Sequence, residues 1–393
     1  MKPPTHAKRA QLSRRAALAL PVLIAMGLAG CAAKQSQVTP QTAPKPAPVP
    51  APEPVEPPAA ALLLVSLARG DEIAIVDPAQ NATEQAARTI TVGAAPWGVG
   101  VHGTTGYAAT AEGLAVVDLV QGVRTDLVPY LHPTSERATG EYRPGGLGLA
   151  VSPDGSRVYV AVTSGDGAFF LEAFDTADAK FIGSAPVGLR PFDVLVAPDG
   201  AWAATVDHDS FTVSVVAADT LAVTQHEVAP FGTEGGLASW EKPHYGAVDT
   251  TPGANFGSIL LPYQGEVVVR LDPLTGATSE IASAANSHAH GTTLAGRTLL
   301  TVGTGSFGSA TGVANLSILD LDSGAEREVS LKVPHETVAV WRDASGREFA
   351  AVAGGNTRDA GWDGLTLVAL DDLGVREIPL PGYPQAVVAF TTR

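Results

Sequence analysis

Nine histidines occur in the chain, and four of them fall in short strings of one pattern: Pro243-His244-Tyr245, His288-Ala289-His290-Gly291 and Pro334-His335-Glu336. Imidazole nitrogens are the usual ligands of zinc and copper, and three of them plus a water make an open coordination site. His244, His290 and His335 are the expected ligands, with His288 two residues before the middle one. Glu336 adds a carboxylate that can ligate or orient a ligand, and Asp193 adjoins the same region. Two other readings of these histidines stand beside the metal: a water-lined channel wall, and acid–base use, since imidazole titrates near neutral pH.

Other chemistry-bearing patterns are missing from the sequence. It contains no G-x-S-x-G, P-loop, C-x-x-C-H or H-E-x-x-H string. Cys31 is the only cysteine, which excludes an intramolecular disulfide, a C-x-x-C redox centre and a cysteine-rich zinc site. A metal- or quinone-dependent enzyme is therefore the least favoured class. His102, His132, His226 and His208 lie in loop or strand-end contexts and read as solvated or structural. Asp207-His208-Asp209-Ser210 has the composition of a turn.

The elements that must position the histidines repeat along the chain. Gly145 to Val151, the turn Ser152-Pro153-Asp154-Gly155 and Arg157 to Val162 form strand, tight turn, strand. Pro191 to Val196, Ala197-Pro198-Asp199-Gly200 and Ala201 to Val206 repeat that pattern. An apolar strand with an acid at or near its end recurs seven times, at Asp77, Asp118, Asp175, Asp219, Asp272, Asp320 and Asp371. The spacing of roughly 41 to 57 residues suits four-stranded propeller blades with loop insertions. The last strand, Gln385 to Phe390, starts a blade that Leu62 to Val92 completes. The expected fold is thus an all-β, seven-bladed β-propeller closed by pairing of its terminal strands, which leaves no free sheet edge.

In a propeller the innermost strand of each blade begins at one rim of the central channel. The expected rim strings are Pro96-Trp97-Gly98, Pro144-Gly145-Gly146, Pro191-Phe192-Asp193, Pro243-His244-Tyr245, Ala289-His290-Gly291, Pro334-His335-Glu336 and Pro384-Gln385-Ala386. They put His244, His290 and His335 in one register on three consecutive blades. Trp97 and Phe192 read as channel packing, and the insertion Leu131 to Tyr142 as a polar loop over one face.

The Val151-to-Gly155 turn, the Tyr159-Val160-Ala161 strand and Asp207 to Val216 resemble YVTN-type repeats of the YncE-like propeller family. That resemblance spans Ala59 to Arg393 and implies the fold more than a function. Pro243-His244-Tyr245-Gly246, His288-Ala289-His290-Gly291 and His335-Glu336 also resemble motifs of the zinc metallochaperone propellers that accompany zinc ABC transporters. This second resemblance implies zinc as the ion and a metal transporter as the partner. It covers three short strings, and neither a His/Asp-rich capture segment nor the expected Cys and Gly of the final motif is found.

Residues 1–30 carry five Lys or Arg and no acid, then the apolar run Ala16 to Leu28 and Leu28-Ala29-Gly30-Cys31. This reads as a removed signal segment with a lipobox, leaving Cys31 acylated, and Ser13-Arg14-Arg15 is similar to a twin-arginine export signal. Ala32 follows the cysteine where an inner-membrane retention signal would have Asp. Residues 31–58 are rich in Pro, Ala, Val, Thr and Gln, with Pro at nearly every second position from Pro44 to Pro58, and read as a semi-rigid polyproline tether. Residues 59–393 form the propeller. The expected location is the membrane surface, facing the periplasm or cell exterior. The formal charge of −15 becomes about −20 without the signal's cations, which disfavours nucleic acid and anionic headgroups as partners. The function expected first is metal capture and delivery. The alternative is an envelope scaffold that binds protein or glycan, with incidental channel histidines.

Overall fold

The computed structural model describes residues 61–80, 87–228, 242–356 and 361–392. The signal, Cys31 and the tether lie outside these. Every element among the described residues is a β-strand, and the strands form seven four-stranded sheets. The expected seven-bladed propeller is the fold observed.

Blades are numbered by their inner strands. Blade 1 contains β4 (Val99–His102), β5 (Thr105–Ala109), β6 (Leu114–Asp118) and β7 (Val123–Val128). Blade 2 runs from β8 (Gly145–Val151) through β9 (Arg157–Thr163) and β10 (Phe169–Asp175) to β11 (Lys180–Pro186). Blade 3 holds β12 (Pro191–Val196), β13 (Trp202–Asp207), β14 (Thr212–Ala217) and β15 (Val223–Glu227). In blade 4 the inner strand is short: β16 (Ala247–Val248) precedes β17 (Ile259–Pro262), β18 (Val267–Leu271) and β19 (Thr278–Ala282). Blade 5 is β20 (Ala289–Ala295), β21 (Thr298–Thr304), β22 (Ala314–Asp320) and β23 (Glu326–Ser330). Blade 6 is β24 (Val338–Arg342), β25 (Glu348–Ala353), β26 (Gly364–Ala369) and β27 (Val375–Pro379).

Blade 7 joins the two ends of the described chain. Its inner strand β28 (Pro384–Phe390) pairs with β1 (Leu62–Leu67), followed by β2 (Glu72–Val76) and β3 (Ala87–Thr91). The antiparallel register sets Leu62 opposite Phe390, Leu63 opposite Ala389 and Leu64 opposite Val388. Every inner edge is thereby committed to a ring rather than left to pair with another chain.

The core is distributed between neighbouring blades. Leu64, Ile73, Ile90 and Phe390 of blade 7 pack against Val99, Ala108 and Ala115 of blade 1. Tyr159, Leu171 and Ala173 of blade 2 pack against Val194, Ala203 and Val216 of blade 3. Strand alternation sends one face of each sheet to each neighbour, so the middle strands are buried on both sides and read as continuous apolar runs.

The recurring acid has a turn function. Asp77, Asp118, Asp175, Asp272 and Asp320 each accept the backbone N–H two residues on, from Ala79, Val120, Ala177, Leu274 and Asp322. Each short carboxylate thus closes the turn after the third strand of its blade. In the Pro-Asp-Gly turn, Gly155 has φ +71°, and a Cβ there would lie 2.1 Å from Nδ1 of His102. The positive φ requires glycine, and the exposed His102 ring lies against that turn.

Candidate metal centre

The centre is built where the seven inner strands begin. Gly98 N–H donates to Leu147 O and Gly291 N–H to Glu336 O, both at 3.0 Å. A Cβ on Gly148 would meet Phe192 O at 2.7 Å, and Thr337 Oγ1 donates to Gln385 O at 2.6 Å. These contacts align the neck of the channel as Trp97, Leu147, Phe192, Tyr245, His290, Glu336 and Gln385, all buried. Blades 4 and 6 are therefore offset by one residue from the sequence alignment: Tyr245 and Glu336 occupy the register expected for His244 and His335, and blade 2 contributes Leu147.

The physical reason is local. Some inner strands carry register shifts at their entries, at Gly146/Leu149 in blade 2, Pro191/Asp193 in blade 3 and Ala289/Thr292 in blade 5, whereas the inner pairs of blades 4 and 6 run without one. A bulge re-aims the side chains beside it, and a slip of one residue turns every side chain to the opposite face. Alignment on proline cannot register either event.

The neck has two chemical halves. Trp97, Leu147 and Phe192 pack together with Ala68. Across from them Tyr245 Oη donates to Glu336 Oε1 at 3.4 Å, and His290 Nδ1 lies 3.4 Å from the same oxygen. Burial raises the Tyr245 phenol well above its ordinary pKa, and the Glu336, Glu141 and Asp193 carboxylates push the same way. Tyr245 is therefore a neutral hydrogen-bond donor at physiological pH.

Three imidazoles meet at the polar half, His290 from the neck itself and His244 and His288 beside it. Donor atoms of His244, His288 and His290 all lie within 4.8 Å of one another, and all three residues are buried. The His244 and His290 rings stack at 4.5 Å between centroids with 19° between planes. His288 meets His244 edge-on at 4.6 Å. The backbone of His288 is pinned by its N–H to Gly305 O at 2.9 Å and by Thr304 N–H to its carbonyl at 2.8 Å. Two adjacent blades thus supply the set, His244 from the entry of blade 4 and His288 and His290 from that of blade 5.

This donor set fits a transition-metal ion. Neutral imidazole is a borderline-soft ligand, and three of them leave a coordination position for water or cargo exchange. Zn–N bonds of about 2.0–2.1 Å need the nitrogens drawn somewhat closer than 4.8 Å, a side-chain adjustment rather than a backbone one. Glu336 lies against His290, where it can hold the ring or enter as a fourth ligand.

The structure does not bring His335 to this cluster. Its Nδ1 lies 2.7 Å from Val333 O, its Nε2 lies 2.8 Å from Thr366 Oγ1 and accepts the Trp362 indole N–H at 3.1 Å. Both ring nitrogens are engaged within blade 6, and burial lowers its pKa to about 4. His335 is a neutral structural histidine in this arrangement, and Glu336, one residue on, takes the channel side. Asp193 faces the other side of the neck, accepting the N–H groups of Val194 and Gly246 at 2.9 and 3.0 Å. Burial raises its carboxyl to about 7 against those two donors.

Two cavities meet at the neck, and Trp97 lines both. The cavity of about 440 Å³ is lined by the residues after the neck, including Gly98, Gly148, Asp193, Gly246 and Gly291. The other, of about 740 Å³, is lined by Arg69, Glu141, His208, His244, Gln264 and His288 among others. The insertion expected as a loop over one face supplies part of this second wall. Glu172 anchors its start by accepting the N–H groups of Leu131 and His132 at 2.8 and 2.9 Å. His132 stacks on Phe170, and His226 is bonded to Pro273 O, both away from the neck.

No protein-family model and no curated protein matches the chain. Among solved structures it is similar to hydrazine synthase of Kuenenia stuttgartiensis. The TM-score is 0.53 at 14% identity, covering 72% of this chain and 86% of that one. Identity at that level shows the shared fold alone.

His208 is a turn residue by its sequence context. The structure buries it in the cavity wall, with its ring 4.3 Å from that of His244. The only sequence signal was a histidine in an otherwise acidic and hydroxyl-rich turn.

Proposed function

We propose that this chain is a membrane-tethered, extracytoplasmic propeller that binds a transition-metal ion, with zinc favoured, at His244, His288 and His290. The observation that carries the reading is the meeting of three buried imidazoles from adjacent blades within 4.8 Å of one another. Three neutral imidazoles held side by side offer lone pairs that one cation can take up together. An acidic chain draws cations toward it.

The bound ion is cargo. Acylation of Cys31 would hold the propeller at the membrane, and the proline-rich segment would let it reach a partner there. The three histidine strings resemble those of zinc metallochaperone propellers, so the partner proposed is a metal transporter in the same membrane. The periplasmic or exterior face is the compartment that the signal and lipobox imply.

The test is metal content. The purified protein is equilibrated with zinc or copper, freed of excess, and assayed by elemental analysis beside the His244→Ala/His288→Ala/His290→Ala variant. The expected result is about one ion per wild-type chain and none on the variant. Equal, negligible loading of both defeats the metal reading and leaves the envelope scaffold. His335→Gln retains the ion, because its ring lies outside the cluster.

A further inference from the structure

His208 stands outside the three-histidine set yet touches it. It lies in the turn between β13 and β14 of blade 3, buried, with its ring 4.3 Å from His244. That is closer than any ring pair within the set, where separations are 4.5, 4.6 and 5.4 Å. Phe192 stacks on the same ring at 4.7 Å. His208 Nδ1 lies 2.7 Å from Asp209 Oδ1. Lys242 Nζ and Arg190 Nε approach the Asp209 carboxylate at 3.5 Å each.

These contacts define one tautomer. A carboxylate held by two cations is ionised and accepts, so the proton sits on Nδ1 and Nε2 keeps its lone pair. This is the arrangement in which a carboxylate orients a metal-ligating imidazole. Position adds direction. His208, His244 and His288 line the 740 Å³ cavity, whereas His290 and Glu336 do not. An ion arriving from that cavity therefore meets His208, His244 and His288 before His290 completes the set.

We infer that His208, oriented by Asp209, is a transient entry ligand that passes the ion to His244, and so to the three-histidine site, by ligand exchange. The inference rests on the proposed metal-binding function. The transfer is a ligand substitution: one Nε2 lone pair replaces a water on the ion, and His244 later displaces that imidazole, with no change of oxidation state. A ligand used only in transit lowers the barrier in both directions. It accelerates loading and release by one factor and leaves the equilibrium unmoved.

The experiment uses the full chain and cobalt(II), whose visible absorption reports coordination. Loading is followed by stopped-flow mixing, release by an excess chelator, and Kd by competition titration. In His208→Gln both rates fall together by one common factor, with Kd unchanged. Asp209→Asn, which keeps the imidazole but loses its anionic partner, slows both rates by a smaller factor. Melting of the metal-free variants establishes that each is folded. Wild-type rates in both variants overturn the relay. A rise in Kd matching that of His244→Ala also overturns it, because His208 would then be a resident ligand. Absence of cobalt uptake by the wild type defeats the metal-binding function itself, a result separable from failure of the relay.

Discussion

Glu336 Oε1 lies 3.4 Å from Nδ1 of His290, with both side chains essentially closed to solvent. Tyr245 Oη donates to the same oxygen. A buried acid beside an imidazole favours the proton on the near nitrogen, leaving the far one as the ligand and raising its basicity. Glu336→Gln keeps the shape and removes the charge. The expected outcome is metal affinity lowered about 10–100-fold with the stoichiometry unchanged, read by competition titration. Unaltered affinity would detach Glu336 from the site.

Metal uptake should weaken in acid. The ion and the proton compete for the same imidazole lone pairs, so apparent affinity falls as pH drops below about 6. Titration of the wild type between pH 8 and 5 checks this, and a flat profile would count against histidine ligation.

His335 predicts a separate pH effect on stability. Its pKa falls from 6.5 in the unfolded chain to about 4 in the fold, chiefly through burial. The folded state therefore favours the neutral ring. Its contribution is fully present above pH 6.5 and is lost as pH falls toward 4, since the unfolded chain takes up the proton first. The span corresponds to about 3 kcal/mol. Urea unfolding of His335→Gln at pH 7 and 4.5 should show a smaller acid loss than the wild type by roughly that amount.

Closure of the ring predicts a stability hot spot. Leu64 of β1 is fully buried in the seam between blade 7 and blade 1. Leu64→Ala removes apolar contacts that no other strand can replace and should cost about 2–5 kcal/mol, measured by urea unfolding. Val375→Ala, on an exposed outer strand, serves as the comparison and should stay within about 0.5 kcal/mol.

Much of this was legible in the residues. Repeated strand, Asp-capped turn and strand units require a propeller, because each blade exposes two apolar faces that only its neighbours can cover. The unpaired halves at the two ends, Leu62 to Val92 and Gln385 to Phe390, imply closure for the same reason. Histidine strings before successive inner strands also located the candidate site, and His244, His288 and His290 were all among its expected residues.

Tertiary structure decided which side chains converge. Alternation has a period of two, and blades 3 and 5 carry entry bulges that blade 6 does not, so the register of blade 6 is displaced by one residue, with Glu336 on the channel and His335 turned into the blade. No residue count along the chain reveals such a bulge, because it depends on how one strand pairs with the next. His208 was invisible for a related reason. It lies 36 residues before His244 in the sequence, on a turn with no histidine pattern, and only the packing of blade 3 against blade 4 sets the two rings 4.3 Å apart.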